Sequence, residues 1–172
     1  AGAVIHKVLQ HQGADLVMMP TRGCGPIRRF LLGSVTAKVL HDVGAAVWTS
    51  TGTAIEQHAP TVHYKSIICA LDETQESEAI LRAAAALAKS YEANLSLVHV
   101  LEMPPATPEI DFTPYRKDLI DAGHAHMRGL KDLLNLDVPE VVIDAGIADG
   151  IREEIVRRKA DLLVVGRGHD QG

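Results

Sequence analysis

The sequence has few aromatic side chains, which make up only 3% of its 172 residues. Proteins that bind single-stranded nucleic acid stack bases on aromatic rings, so this composition argues against such a platform. The formal net charge of −5 also disfavours nucleic acid or an anionic membrane as the main partner, because both are themselves negatively charged. The hydrophobic fraction of 47% is that of an ordinary globular protein, whose core must be mainly aliphatic.

The chain also lacks a cysteine framework and long apolar runs. Its two cysteines, Cys24 and Cys69, have no spacing typical of paired disulfides. No apolar run approaches the length of a membrane span, and the first residues have no signal-peptide pattern. These absences predict a reduced, cytoplasmic protein without a membrane partner.

Aspartate and glutamate are absent between residues 16 and 41, although this segment carries the basic residues Arg22, Arg28, Arg29 and Lys38. In an acidic chain, a basic segment that is also rich in glycine indicates an anion site. Gly33 and Ser34 precede a predicted helix, whose first N–H groups and positive dipole end favour phosphate. The same residues also suit a plain helix cap preceded by glycine turns, and their spacing leaves both interpretations open.

Buried strands and amphipathic helices alternate along the chain. The predicted strands cover residues 16–19, 45–49, 66–71, 94–101, 140–144 and 161–165. The predicted helices cover residues 2–12, 35–43, 115–134 and 151–158, and Gly13 is the expected stop of the first one. A further helix is predicted after Asp72 and Thr74, with its apolar positions between residues 80 and 91. This alternation predicts an α/β fold with an open parallel sheet flanked by helices.

An internal repeat recurs at an offset of 146 residues, the difference between positions 160 and 14. Ala-Asp followed by four apolar residues occurs at 14–19 and again at 160–165, and the preceding helices agree at the same offset. The repeat predicts two copies of one module. Residues 1–50 are then the C-terminal part of the first module, residues 51–63 a linker, and residues 64–172 the N-terminal part of the second.

Residues in both parts of the chain resemble the universal stress protein family. Nucleotide-binding members carry Gly-x2-Gly-x9-Gly-Ser/Thr, and this chain matches at Gly23, Gly33 and Ser34, with Pro20 in place of the first glycine. The resemblance extends to the strand at 14–19 and to the segments at 30–35 and 38–40. In the second part, residues 66–72 and 97–100 resemble the first two strands of the family.

The resemblance implies a Rossmann-like fold of the adenine nucleotide alpha hydrolase type that binds ATP, with or without Mg²⁺, and without assured turnover. The residues it assigns to the nucleotide are Met19, Gly23, Gly33, Ser34, Val35, Ala70, Asp72 and Val100. The glycines, Ser34 and Val35 are expected at the phosphates, Asp72 and Val100 at the ribose and adenine, and Met19 beside the base. Asp72 is also a candidate N-cap of the next helix, together with Thr74, and a capping and a ribose role can hold together.

The predicted function is an adenine-nucleotide-binding sensor or regulator of the stress response. An alternative is a dimerisation or interaction module that binds no nucleotide, because Pro20 and His169 occupy glycine positions of the two phosphate loops. A slow ATPase is a second alternative, for which Asp72 is the one candidate to orient water. No catalytic pair or metal site is predicted, and His99 is interpreted as a hydrogen-bonded core histidine.

Two assemblies are expected to complete a nucleotide pocket. In one, residues 14–50 complete residues 64–172 as a single permuted domain, with the strand at 16–19 beside the strand at 66–71. The strand at 161–165 competes for the same position. In the other, two chains form a homodimer by strand or segment exchange.

Overall fold

The computed structural model describes residues 2–20, 34–50, 63–103 and 113–167. The chain divides into two compact units, Ala1–Thr61 and Val62–Gly172, called unit 1 and unit 2 below. Among the helices of these described ranges, none is both long and apolar enough to cross a membrane.

Unit 1 contains a two-stranded parallel sheet and two helices. Its elements are α1 (Gly2–Gln12), β1 (Leu16–Pro20), α2 (Ser34–Asp42) and β2 (Ala46–Ser50). β1 pairs with β2 from Leu16 opposite Ala46 to Pro20 opposite Ser50, and α1 packs against α2. Gly13 follows α1 with a φ of 60°, the left-handed conformation that glycine adopts without strain. The predicted helix stop at this glycine is therefore confirmed.

Unit 2 is built on a four-stranded parallel sheet in the order β5-β4-β3-β6. Its elements are β3 (Ser66–Ala70), α3 (Ser77–Tyr91), β4 (Asn94–Leu101), α4 (Arg116–Leu134), β5 (Glu140–Asp144), α5 (Ile147–Arg158) and β6 (Leu162–Val165), with a short 3-10 turn at Thr113–Tyr115. The chain runs outward from β3 through β4 to β5 and then returns to the other side of β3 as β6. The strand order therefore reverses between β3 and β6, which makes this the topological switch point.

Helices cover both faces of β3 and β4 in the unit 2 sheet, whereas Leu163 and Val165 of β6 are exposed. The face that packs on α3 and α4 forms the main core, with the fully buried side chains Ile67, Cys69, Leu81, Leu97 and Met127. Residues of opposite parity on the strands, such as Ile68 and Val98, are buried as well, and α5 contacts β3 and β4. Apolar residues on both faces are what a parallel strand covered on two sides requires. The predicted α/β class, with parallel sheets flanked by helices, is confirmed.

The start of α5 was predicted too late. The helix begins at Ile147 rather than at residue 151, with Gly146 as its N-cap. The carbonyl of Gly146 accepts the N–H groups of Asp149 and Gly150 at 3.0 and 2.9 Å. Aspartate and glycine have poor helix propensity, which hid this first turn from the sequence pattern.

The permuted single domain is not the arrangement of the described residues. β3 has both edges occupied, by β4 and by β6, whereas β1 pairs with β2. Asp161, just before β6, holds β6 in place: its carboxylate accepts the backbone N–H groups of Lys65 and Ser66 at 2.9 and 3.0 Å. The division into two modules and a linker stays a prediction.

The two halves of the internal repeat share one helix ending. After α1, the N–H of Ala14 donates to the carbonyl of Leu9 at 3.3 Å. After α5, the N–H of Ala160 donates to the carbonyl of Ile155 at 2.9 Å, which are the equivalent positions at the offset of 146. Lys159 adopts a left-handed φ of 51° where unit 1 has glycine.

Candidate functional site

The carboxyl ends of β3 and β6 lie at the switch point, where open α/β sheets form a ligand crevice. Ala70, the last residue of β3, pairs with Val98 on one side and with Val165 on the other. Asp72 follows Ala70 by two residues, and Val100 follows its partner Val98 by two residues. The sheet therefore brings Ala70, Asp72 and Val100, three of the predicted site residues, to one edge of unit 2.

The turn between β3 and α3 fixes the carboxylate of Asp72. Its Oδ1 accepts the N–H of Thr74 at 3.1 Å and the hydroxyl of Thr74 at 2.6 Å. The hydroxyl of Ser77 is shared between this Oδ1, at 3.0 Å, and the backbone carbonyl of Asp72, at 2.7 Å. Burial raises the pKa of Asp72, but the hydrogen bonds from Thr74 and Ser77 outweigh it and hold this pKa below its ordinary value. The turn thus presents an ionised carboxylate in a fixed orientation at the switch point.

The predicted capping role of Asp72 and Thr74 is wrong. The N-cap of α3 is Glu76, whose side chain makes no capping hydrogen bond. Asp72 and Thr74 instead bond to each other within the preceding turn, an arrangement typical of an Asx turn. Ser77, which the sequence analysis missed, is completely buried beneath this turn. The short spacing of Asp72, Thr74 and Ser77 in the sequence could have indicated that their side chains bond to one another within one turn.

Val100 and Ala70 form the side of the edge that faces α5. Val100 is half-buried in β4, and a Cβ added to Gly150 of α5 would lie 3.1 Å from both of its Cγ atoms. The missing side chain at Gly150 therefore allows α5 to approach Val100 closely. Ala70 has the opposite parity to the core residue Cys69 and lies on the same face of the sheet as Val100.

Gly166 follows β6 on the other side of the switch point. A Cβ added there would lie 2.5 Å from Cδ1 of Ile80 on α3, so that any side chain would displace the isoleucine. The repeat-equivalent position in unit 1 is Pro20, which pairs with Ser50 at the end of β1. The equivalent strands β1 and β6 therefore differ at this position, which is proline in unit 1 and glycine in unit 2.

The other predicted site residues belong to unit 1. Ser34 is the first residue of α2 and Val35 follows it, 40% exposed, in a first turn without acidic residues. Met19 is half-buried in β1. Gly23 and Gly33 lie outside the described residues, as do Cys24 and His169.

His99 contacts the candidate site through the backbone. It is 5% exposed in β4, and its Nδ1 lies 2.8 Å from the carbonyl oxygen of Leu71, the residue before Asp72. The interpretation as a hydrogen-bonded core histidine is confirmed. Its contact with the turn was missed, because no local pattern connects two positions that are 28 residues apart.

A groove of about 910 Å³ lies at the opposite edge of the sheet, beside the amino ends of the strands. It is lined in part by Lys65, Asn94, Arg158 and Asp161. Asp161 is engaged with the backbone of β3, and Arg158 with a glutamate of its own helix. Ligands of open α/β sheets bind at the carboxyl ends, so this groove is not the candidate site. Within the described ranges, no three His, Cys, Asp or Glu side chains are grouped to hold a metal ion.

Comparison with known proteins gives one consistent family. The model of the universal stress protein family matches residues 1–49 and 63–172. The universal stress protein A homologue of Haemophilus influenzae is 24% identical over 123 residues, which cover 62% of this chain and 79% of that protein.

Solved structures with the same fold carry the same family description. A candidate universal stress protein from Pseudomonas aeruginosa UCBPP-PA14 superposes with a TM-score of 0.72 at 14% identity. The match covers 100% of this chain but 59% of that one, so this chain spans little more than half of that protein. UspA from Lactobacillus plantarum superposes with a TM-score of 0.54 at 21% identity, over 64% of this chain and 83% of that one.

Proposed function

Because this chain belongs to the universal stress protein family, we propose that it binds an adenine nucleotide, with ATP as the first candidate. Its role is that of a sensor or regulator in the stress response. The observation that carries the proposal is the carboxylate of Asp72, ionised and held by its turn at the switch point of the sheet. Family membership is the basis for proposing an adenine nucleotide as the ligand. The geometry of the turn is the basis for proposing Asp72 as a residue that binds it.

Asp72 suits the ribose of a nucleotide. The three hydrogen bonds from the turn all end on Oδ1, so Oδ2 is the oxygen assigned to ribose hydroxyls. Hydroxyl groups that donate to an ionised carboxylate form stronger hydrogen bonds than neutral pairs do. Because the turn already orders the side chain, little conformational entropy is lost on binding.

The remaining nucleotide contacts are proposed for each unit by itself. In unit 2, Ala70 and Val100, half-buried at the same edge as Asp72, supply apolar contacts for the base. In unit 1, the family resemblance assigns Met19 to the border of a base. Ser34 and Val35 begin a helix without acids in its first turn, which favours phosphate. Gly23 and Gly33 complete the phosphate set on the basis of the family motif.

Calorimetric titration of ATP into the wild-type protein and two variants tests the proposal. Asp72→Asn keeps an acceptor for Thr74 but removes the charge, and it should weaken ATP binding about tenfold or more, the equivalent of one charged hydrogen bond. Gly33→Asp should repel the phosphates and abolish measurable binding. Asp132→Asn is the matched control, because Asp132 is exposed near the end of α4.

Absence of ATP binding by the wild type, or equal binding by Gly33→Asp, contradicts the proposal. Turnover in the same samples with Mg²⁺ would support the slow ATPase. Native mass spectrometry of the same proteins reports nucleotide occupancy and oligomeric state together. The homodimer belongs to the proposal, and a strict monomer at high concentration would exclude segment exchange.

The position of Pro20 favours the second candidate function, an interaction module that binds no nucleotide. Pro20 continues β1 opposite Ser50, where the family motif has a glycine. Proline lacks the backbone N–H that a phosphate loop uses at this point. This candidate would be supported if the wild-type protein does not bind ATP and the Pro20→Gly variant does.

A further inference from the structure

We infer that His99 is a positioning residue for the nucleotide site, because it fixes the backbone from which the Asp72 turn begins. Its consequence for binding rests on the proposed function. Its consequence for the turn can be measured without nucleotide.

The hydrogen bond from His99 holds the peptide that leads into the turn. Leu71 is 5% exposed and follows the last residue of β3. Its N–H donates to the carbonyl of Val98 at 3.0 Å, and its carbonyl accepts Nδ1–H of His99 at 2.8 Å. Both polar groups of Leu71 are thus held by β4. The two bonds hold the peptide group that immediately precedes Asp72.

The chemistry of the acceptor determines the role of the ring. A carbonyl oxygen can only accept, so Nδ1 must carry a proton whether the imidazole is neutral or charged. The bond to Leu71 is therefore kept in both charge states. His99 acts on Asp72 through the backbone and is not assigned a contact with the ligand.

The other ring nitrogen, Nε2, has no hydrogen bond within the described part of the chain that would favour a histidine at this position. Nε2 is buried, and none of the described residues lies within hydrogen-bond distance of it. Oε1 of Glu73, in the same turn, lies 3.8 Å from Nε2. An unpaired buried nitrogen costs stability, and an aliphatic residue would avoid that cost. The donor at Nδ1 is what an aliphatic residue could not supply.

Gly123 of α4 provides the space for the ring. A Cβ added at Gly123 would lie 3.1 Å from Cδ2 of His99 and 3.2 Å from Cγ1 of Val142. Both distances are shorter than ordinary contacts, so an alanine there would press on the imidazole. The ring is therefore held between α4 and the Leu71 carbonyl, which restricts its orientation.

The test compares two substitutions of His99 in the full chain. His99→Asn retains a side-chain N–H near the position of Nδ1, whereas His99→Leu retains bulk but no donor. The two readouts are the hydrogen exchange of the Thr74 amide, which is donated to Oδ1 of Asp72, and the affinity for ATP. Leu97→Val, a core change on the same face of β4, controls for general loss of stability.

The expected result for His99→Leu is exchange of the Thr74 amide about tenfold faster and an ATP affinity about fivefold lower, the effect of one lost hydrogen bond. His99→Asn should keep both values within about twofold of wild type. Leu97→Val should lower the denaturation midpoint. Beyond this general loss of stability, it should change neither the exchange rate of the Thr74 amide nor the affinity for ATP.

Unchanged Thr74 exchange in His99→Leu, or no rescue by His99→Asn, overturns the inference. If wild type binds no ATP, the proposed function fails, and Thr74 exchange alone decides whether His99 holds the turn. If His99→Leu does not fold, Gly123→Ala takes its place. It should speed Thr74 exchange by a smaller factor, and unchanged exchange there also contradicts the inference.

Discussion

Glu154 of α5 is a buried carboxylate, 4% exposed, that faces two arginines of its own helix. Oε1 accepts Nε–H of Arg157 at 2.6 Å, and Oε2 accepts Nη2–H of Arg157 at 2.6 Å and Nε–H of Arg158 at 2.9 Å. Arg158 in turn donates to the hydroxyl of Ser96 in β4 at 3.0 Å. The carboxylate therefore orders a guanidinium that ties α5 to the sheet.

Glu154→Gln should destabilise unit 2 by about 2–3 kcal/mol at neutral pH. The substitution keeps the shape but turns one oxygen into an NH₂ group that meets arginine donors. Removing one member of a buried ion pair costs roughly 3–5 kcal/mol, and water offsets part of this because the side chain of Arg157 is 53% exposed. For a domain of about 100 residues, the loss corresponds to a fall in Tm of roughly 10–15 °C.

The pH dependence gives a second test of the same pair. The hydrogen bond from Arg157 is the largest cause that lowers the pKa of Glu154 below its ordinary value of 4.5, and burial opposes it. A group with a lowered folded-state pKa stabilises the fold above the unfolded pKa, and this contribution is lost as pH falls through the folded value. The difference in the free energy of unfolding between wild type and Glu154→Gln should thus become smaller at acidic pH.

Urea unfolding at neutral pH and at about pH 3.5 measures both effects. Glu153→Gln is the matched control, because Glu153 is the exposed neighbour on the same helix, and its change should stay within about 0.5 kcal/mol. Equal stability of Glu154→Gln and wild type at neutral pH would refute the reasoning. So would a difference that persists undiminished in acid.

Three further predictions concern unit 2. Gly166→Ala should cost about 1 kcal/mol, because the new Cβ would lie 2.5 Å from Cδ1 of Ile80. Ile80→Val should relieve it in a double-mutant cycle, and additive effects would contradict the clash. Gly129→Ala, in α4 with nothing within 4 Å of the added Cβ, should instead stabilise by up to about 1 kcal/mol in urea unfolding. Burial raises the pKa of the Cys69 thiol to about 12, so iodoacetamide should label it only after unfolding, and peptide mass spectrometry showing rapid native labelling would disprove this.

Much of the fold could be predicted because the local patterns are unambiguous. β4 and β5 have the bounds expected from the sequence, Asn94–Leu101 and Glu140–Asp144. Apolar runs such as the one at 66–71 suit strands covered on both faces, and Ile67, Ile68 and Cys69 are all buried. Glycine at position 13 supplied the helix stop without strain. In each of these places a single local preference decides the structure.

The candidate site could be predicted only in part. Asp72 was identified from the family resemblance, but its partners Thr74 and Ser77 depend on where α3 begins. That start lies at Ser77, later than either candidate cap. His99 reaches the site through the carbonyl of Leu71, and such a contact depends on strand register rather than on either residue alone.

The sequence by itself determined that two segments, at 14–19 and 160–165, are strands of the same kind, because both carry Ala-Asp before an apolar run. Their predicted burial is wrong, since Leu16, Met18, Leu163 and Val165 are exposed. The sequence could not decide which of them lies beside β3, since equal patterns have equal local preference. In the tertiary structure, β6 is the strand that lies beside β3. There the carboxylate of Asp161 accepts two backbone N–H groups at the start of β3, and all four residues of β6 pair with β3. A choice between equivalent strands is made by such long-range hydrogen bonds, which no local pattern encodes.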